Sequence, residues 1–183
     1  MARFVKGTLF VEYVRMLRSK KDVDWSAHLQ PQDMPFLAQP IEPMQWYPME
    51  TFERFGLAIL REIAKGSLEA VQAWGRYSID ELRATHAELV AAGDAVESLM
   101  RFQVLRGSFF DFRAIEILEV TDGEARIQVA YGMSGAAEEA ASYQTLGFFE
   151  RLLELAGVHP GQVRFDAKAR CGDPVTIIEL DWA

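Results

Sequence analysis

Hydrophobic and polar positions alternate along two stretches in the C-terminal part of the chain, residues 113–131 and 163–182. Alternation with a period of two is typical of strands that bury one of their faces. Asp122 and Gly123 interrupt the first stretch, and this dipeptide favours the tight turn of a β-hairpin. The second stretch is interrupted at residues 170–174. The pattern predicts two antiparallel hairpins, with strands at residues 113–120, 125–131, 163–169 and 175–182.

A helix is predicted between the two hairpins, over residues 136–156. Apolar side chains recur there near the helical spacing, and Gly157 follows at the position where glycine commonly ends a helix. The apolar stripe consists of Ala141, Leu146, Phe149, Leu153 and Ala156. Because a helix between two hairpins can cover one face of the sheet that they form, residues 108–183 are predicted to be a sheet lobe.

Residues 1–107 show helical periodicity and are predicted to form a helical lobe. The predicted helices span residues 5–20, 49–65, 67–74, 78–91 and 94–106, and capping boxes mark the last two starts. Four prolines between residues 31 and 43 exclude a long helix from residues 22–47. These residues are predicted to be an ordered loop or a few short turns that pack against the core or cover a cleft. The predicted fold class is α+β in a single domain, residues 1–183, with Trp74 and Trp182 buried.

Net charge narrows the range of partners. The 183 residues carry a formal charge of -8, which argues against binding to nucleic acid or to an anionic membrane surface and favours a basic partner. A single cysteine, Cys171, forms no internal disulfide and fits a reducing cytoplasm. No apolar run is long enough to span a membrane, so a cytoplasmic location is predicted.

The residues that usually carry catalysis are dispersed along the chain. Its three histidines, His28, His86 and His159, lack neighbouring ligands at metal-binding spacing, so no metal site is predicted. Ser134 lies between glycines but one residue short of the spacing of a nucleophile elbow. Glu138 begins a helix, where a solvated carboxylate is favourable. The sequence therefore predicts no catalytic residues and a protein that is not an enzyme.

Three phenylalanines within four residues, Phe109, Phe110 and Phe112, precede the first predicted strand. One interpretation places Phe110 and Phe112 in the core and Phe109 at the end of a helix. The other is an exposed apolar rim that receives a partner protein. On the second interpretation, and with the apolar side chains of the proline-rich loop, the interface candidates are Met34, Phe36, Phe109 and Phe110.

Two short motifs and the predicted C-terminal half resemble a known family. Residues 5–9, VKGTL, followed by Tyr13 and Val14, resemble the start of the haem nitric oxide/oxygen binding (H-NOX) domain, a gas-sensor fold. Residues 73–77, AWGRY, resemble an aromatic-Gly-Arg stretch of that domain, and the hairpin-helix-hairpin resembles its C-terminal half. More closely, the chain resembles a group of paralogous myxobacterial proteins of similar length.

The resemblance also implies haem-binding residues, and the sequence departs from them. The family holds its haem iron with a histidine on the helix before the first hairpin, where this chain has Gln103 or Arg106. The family's propionate-binding motif, Tyr-x-Ser-x-Arg, falls on residues 131–135. Tyr131 is kept, whereas Met133 and Gly135 stand in place of serine and arginine. No cofactor is therefore predicted.

The resemblance and its departures leave several functional hypotheses. The first is a haem-free, H-NOX-like regulatory or protein-interaction module. The second is a domain that binds a small apolar ligand in a pocket between the lobes, and the third is a haem-based gas sensor with an unusual axial ligand. The pocket candidates are Tyr13, Trp74, Ser78, Phe102, Gln103, Tyr131 and Met133.

Overall fold

Residues 2–168 and 175–183 are described by the computed structural model, and they fall into two units. Unit 1 comprises Met1–Ser67 and Ser108–Phe112, and unit 2 comprises Leu68–Gly107 and Arg113–Ala183. The predicted turn at residues 170–174, which contains Cys171, lies outside the described residues.

The described residues of unit 1 form three α-helices and two short strands. They are β1 (Phe4–Lys6), α1 (Gly7–Ser19), α2 (Met34–Ala38), β2 (Trp46–Pro48) and α3 (Met49–Glu62). β1 pairs with β2 in the antiparallel sense, and Val5 also forms a bridge with Phe110. The prediction that a helix begins at residue 5 is wrong, because the backbone of residues 4–6 is held extended by these two partners.

The proline-rich segment packs on the core of unit 1, as the sequence predicts. Phe10 of α1 is fully buried, and its ring stacks on Tyr47 at a centroid distance of 4.5 Å. Phe36 of α2 meets Phe10 edge-on at 5.3 Å, and Phe55 of α3 lies at the same distance. The only α-helix within residues 22–47 is the five-residue α2.

Unit 2 is a four-stranded antiparallel sheet with helices. Its elements are α4 (Leu68–Thr85), α5 (Ala95–Leu105), β3 (Ile115–Val120), β4 (Glu124–Val129), α6 (Gly135–Leu155), β5 (Pro160–Ala167) and β6 (Thr176–Trp182). The strand order is β3-β4-β6-β5. The α+β class and the hairpin-helix-hairpin arrangement are thereby confirmed. Gly157 follows α6 with a φ of 85°. This left-handed conformation confirms the prediction that a glycine terminates the helix.

One of the two predicted capping boxes is present only in half, because the N–H of Asp94 donates to the carbonyl of Ala91 and not to Glu97. Asp94 accepts a hydrogen bond from the backbone N–H of Glu97 at 2.8 Å and starts α5 as predicted. Ser78 lies instead inside α4, which is a continuous helix of 18 residues. Its hydroxyl donates to the carbonyl of Gly75 at 2.8 Å, so it satisfies an acceptor in the preceding turn and starts no new helix.

α4 and α6 approach each other through glycines. A Cβ on Gly75 would overlap the carbonyl oxygen of Gln144, and a Cβ on Gly147 would overlap that of Gln72. Arg76 on α4 also binds α6, because its Nη2 donates to both carboxylate oxygens of Glu154, at 2.7 and 2.8 Å. α4 therefore belongs with α6 in unit 2, and the boundary between the units differs from the one predicted at residue 107.

The two tryptophans predicted to be buried are only half-buried. Trp74 lies on α4. Trp182 is the last residue of β6, where its backbone N–H donates to the carbonyl of Gly123. The prediction of full burial is wrong for both. It relied on periodicity, which assigns a face to a side chain but does not show how far the neighbouring chain covers that face.

Candidate functional site

The glutamine at the position that the resemblance implies for a metal ligand is bound to the sheet of unit 2. Gln103 lies on α5, and its Oε1 accepts a hydrogen bond from the backbone N–H of Ile117 at 3.1 Å. This contact lies next to an irregularity in the pairing of β3 with β4, between Ile117 and Glu119. The amide oxygen of Gln103 therefore stabilises the edge of the sheet.

Arg106, the alternative residue for that position, follows directly after α5. Its Nη2 lies 3.8 Å from Glu116 Oε1, and about a fifth of its side chain is exposed. Its Nε is shielded from water and has no hydrogen-bond partner in the part of the chain that the structure describes. The guanidinium group is therefore directed towards a carboxylate of β3.

The loop between β4 and α6 is closed by a carboxylate from α6. Glu138 accepts hydrogen bonds from the backbone N–H groups of Tyr131 and Met133, each at 2.8 Å, through Oε1 and Oε2 respectively. Gly132, between them, has a φ of 66°, which directs both amides to the same side. Only 8% of Glu138 is exposed. The interpretation of Glu138 as a solvated helix start is therefore wrong, because its side chain turns back into the loop.

Tyr131 is buried and bound to α6 through its hydroxyl. The Tyr131 oxygen lies 2.7 Å from Thr145 Oγ1, and Thr145 in turn donates to the carbonyl of Ala141 at 2.8 Å. Because Thr145 gives its proton to Ala141, Tyr131 is the donor of the shared hydrogen bond. Burial raises the pKa of Tyr131 above its usual value, which keeps the hydroxyl protonated.

Two further pocket candidates, Phe102 and Tyr13, contact aromatic rings outside the candidate set. Phe102 is buried between two rings of α6, with its centroid 5.3 Å from Phe148 and 5.0 Å from Phe149. Tyr13 belongs to unit 1 and stacks on Phe52 at 4.2 Å, whereas Trp74, Ser78, Phe102, Gln103, Tyr131 and Met133 belong to unit 2. Two cavities of unit 2, of about 10 and 170 Å³, are lined by other residues.

The predicted exposed aromatic rim is wrong. Phe109 is 4% exposed and Phe110 is 8% exposed. Their backbone is drawn against β1, since Lys6 N–H donates to the Phe109 carbonyl at 2.8 Å and Asp111 N–H donates to that of Phe4. The placement of Phe110 in the core is confirmed, and Phe109 is also a core residue. Met34 and Phe36 are half-buried.

Two kinds of feature are absent from the residues that the structure describes. Residues 2–168 and 175–183 contain no group of three or more histidine, cysteine, aspartate or glutamate side chains arranged to hold a metal ion. Within the same ranges, no helix combines the length and the apolar content that crossing a bilayer requires.

Comparison with known proteins gives matches by structure. No family model matches the sequence, and no curated protein matches it. An H-NOX protein from S. oneidensis in the Fe(II)NO ligation state matches with a TM-score of 0.68 and 10% identity, over 97% of this chain and 99% of that one. A variant H-NOX protein from K. algicida, Fe(II) and unliganded, matches with a TM-score of 0.67 and 11% identity, over 97% and 96%.

A variant of the T. tengcongensis H-NOX protein matches with a TM-score of 0.58 and 13% identity, over 97% of both chains. Identities this low show the fold alone. The chain has the H-NOX fold.

Proposed function

We propose that this H-NOX-like domain works without haem, as a regulatory module that binds another protein and catalyses no reaction. The observation that carries the proposal is the carboxylate of Glu138, bound to the amides of Tyr131 and Met133. The resemblance places the haem propionates at this loop. The loop is therefore occupied by a carboxylate that belongs to the chain itself.

A haem propionate and Glu138 do not fit at the same loop. Both are carboxylates, and two like charges at hydrogen-bonding distance from the same amides repel each other. The arginine that would neutralise such a pair is replaced by Gly135, at the first position of α6. The amides of this loop therefore already bind the carboxylate of Glu138, and that carboxylate would repel a haem propionate.

The iron side of the site supports the same proposal. α5 contains no histidine, and the side chain of Gln103 is bound to Ile117 of β3. The proximal ligands that proteins commonly give to haem are histidine, cysteine, methionine and tyrosine, and neither Gln103 nor Arg106 belongs to that set. The ligand and the propionate anchor are both replaced.

Haem content tests the proposal directly. Protein purified from haem-supplemented cells is expected to be colourless, and the Gln103→His variant is expected to stay colourless because Glu138 still occupies the loop. The measurement is the Soret absorbance per mole of protein, before and after incubation with hemin.

Two outcomes of that measurement contradict the proposal. One is a stoichiometric Soret band in the wild type that is lost in Gln103→Ala or Arg106→Ala. The other is stoichiometric haem uptake by Gln103→His alone, which would show that the Glu138 carboxylate is no barrier to the propionates.

Exposed apolar side chains in unit 1 support the protein-binding part of the proposal. Met44 is 76% exposed and Trp46 is 41% exposed, within the proline-rich segment that the sequence singles out. Lys6 Nζ lies 4.2 Å above the Trp46 ring. Large apolar side chains that stand out beside a polar rim are typical of protein-interaction sites. Met34 and Phe36, in the same segment, remain interface candidates.

Phe36 and Met44 are expected to respond differently to truncation. Phe36→Ala removes a ring that packs on Phe10 and Tyr47, so we expect it to lower the free energy of unfolding by about 2 kcal/mol. Met44→Ala removes an exposed side chain and is expected to leave the denaturant midpoint unchanged. If Phe36→Ala also leaves the midpoint unchanged, the ring is free for a partner and its packing role is refuted.

A further inference from the structure

The strands of unit 2 expose one charged face. Ala125, Ile127 and Val129 of β4 are buried, so the residues between them point to the opposite side. On that side the strand register aligns one row across all four strands. Glu119 of β3 pairs with Arg126 of β4, Arg126 with Glu179 of β6, and Glu179 with Arg164 of β5.

The arginines of this row are already paired with carboxylates on other strands of the sheet. Arg164 Nη2 lies 2.5 Å from Glu179 Oε2, and Arg126 Nη2 lies 3.0 Å from Asp166 Oδ2. Arg126 Nε, 3.6 Å from Glu179 Oε1, is shielded from water and forms no hydrogen bond with the described residues. The row is therefore electrically balanced but not fully hydrogen-bonded.

The neighbouring row opposes two like charges. Glu124 of β4 and Asp181 of β6 are direct cross-strand partners. Carboxylates placed directly opposite each other destabilise a sheet. Arg164 Nη1 reaches Asp181 only at 3.9 Å, and Glu124 has no ion-pair partner within residues 2–168 and 175–183. This end of the face thus carries negative charge that the described chain compensates only in part.

A groove lies over this pair. Its volume is about 170 Å³, several times the roughly 30 Å³ that one water molecule occupies in the liquid. Four carboxylates and two guanidinium groups line it, which leaves a net charge of -2 from this lining. The lining residues are Glu119, Thr121, Glu124, Ala125, Arg126, Arg164, Glu179 and Asp181.

We propose that this groove binds a lysine or arginine side chain from a basic segment of a partner protein. The proposal rests on the protein-binding function proposed above, and it names the chemistry of the partner. A cationic head placed between Glu124 and Asp181 converts a repulsive pair into two attractive ones. Charged rims of this kind also steer oppositely charged partners during encounter.

The proposal makes stability and binding change in opposite directions. In the Glu124→Gln, Asp181→Asn double variant the repulsion is gone, so the midpoint of thermal unfolding is expected to rise by about 1 to 4 °C. The same variant is expected to bind a hexa-arginine peptide at least tenfold more weakly than the wild type. Calorimetric titration of the full chain at 50 mM salt measures the peptide affinity.

A matched control changes the net charge by the same amount elsewhere. Asp22→Asn with Glu69→Gln neutralises two exposed carboxylates outside the groove and is expected to bind the peptide nearly as the wild type does. If the control binds the peptide as weakly as the groove variant does, the attraction to an acidic protein is nonspecific and the proposed groove site is refuted. A lowered unfolding midpoint in the groove variant, or the absence of saturable binding to the wild type, would also refute it.

The peptide titration and the haem measurement test the two proposals independently. Stoichiometric haem in the purified protein would overturn the haem-free proposal and would leave the peptide titration unaffected. If only the peptide fails to bind, the proposed groove site is refuted and the haem-free proposal stands. A spermidine titration identifies the source of the cation, since tighter binding of spermidine than of the peptide would overturn a protein partner in favour of a free polyamine.

Discussion

Gly75→Ala is expected to lower the free energy of unfolding by about 3 kcal/mol, at the upper end of what overpacking costs. A Cβ at this position would overlap the carbonyl oxygen of Gln144, and the overlap is with backbone and not with a flexible side chain. α4 and α6 would therefore have to separate. Gly147→Ala, which meets the carbonyl of Gln72, is expected to have a similar effect.

Gly107→Ala is the control for this pair. A Cβ on Gly107 meets nothing within 4 Å, and the backbone of Gly107 is not left-handed. Chemical denaturation of the three variants measures the difference. If Gly75→Ala and Gly107→Ala have the same midpoint, the close approach of α4 to α6 is not a stabilising contact.

Asp33→Ala is expected to cost about 3–5 kcal/mol, the usual loss when one partner of a buried ion pair is removed. The Asp33 carboxylate is fully buried in unit 1. It accepts hydrogen bonds from Arg54 Nε at 2.6 Å, from Thr51 Oγ1 at 2.8 Å and from the Gln30 N–H at 3.0 Å. One side chain thus connects the proline-rich segment to α3, and its loss leaves Arg54 without its main partner.

The contribution of Asp33 is expected to depend on pH. Burial alone would raise the pKa of Asp33, but the hydrogen bonds from Arg54, Thr51 and Gln30 outweigh it and lower the pKa below its usual value. The stabilisation is therefore complete above the unfolded pKa of about 3.9 and is lost as the pH falls through the lower folded value. The stability difference between wild type and Asp33→Asn should shrink below about pH 4.

Asp22→Asn, an exposed change in the same segment, serves as the control for Asp33. Its unfolding midpoint should follow that of the wild type at every pH. An Asp33→Asn variant that loses stability equally at pH 7 and pH 3 would show that its effect comes from packing and not from the charge.

The part of the fold that could be predicted from sequence is the part with short-range signals. Alternation and the Asp122-Gly123 turn identify the first hairpin, and helical spacing followed by Gly157 identifies α6. β1 could not be found in this way, because its three residues are held by β2 and Phe110, which are distant in sequence. A strand specified by long-range partners has no periodicity of its own.

The candidate site was only partly visible in the sequence for a similar reason. The resemblance implies haem-binding residues at the positions of Gln103, Met133 and Gly135, and the departures there can be identified from the sequence alone. Glu138 could not be identified, because a glutamate in the first turn of a helix normally points to solvent. Its actual direction depends on the left-handed turn at Gly132, which brings two amides to one side chain.

Glu138 also has an evolutionary consequence. Its loss leaves the amides of Tyr131 and Met133 unpaired, which costs about 1–3 kcal/mol for each amide that stays buried. On the haem-free function proposed above, gaining a haem site would take at least two substitutions, because removing Glu138 destabilises the loop and a histidine on α5 gains nothing while Glu138 remains. Neither substitution alone would bring an advantage. An internal carboxylate at this loop therefore closes the single-mutation route to a cofactor.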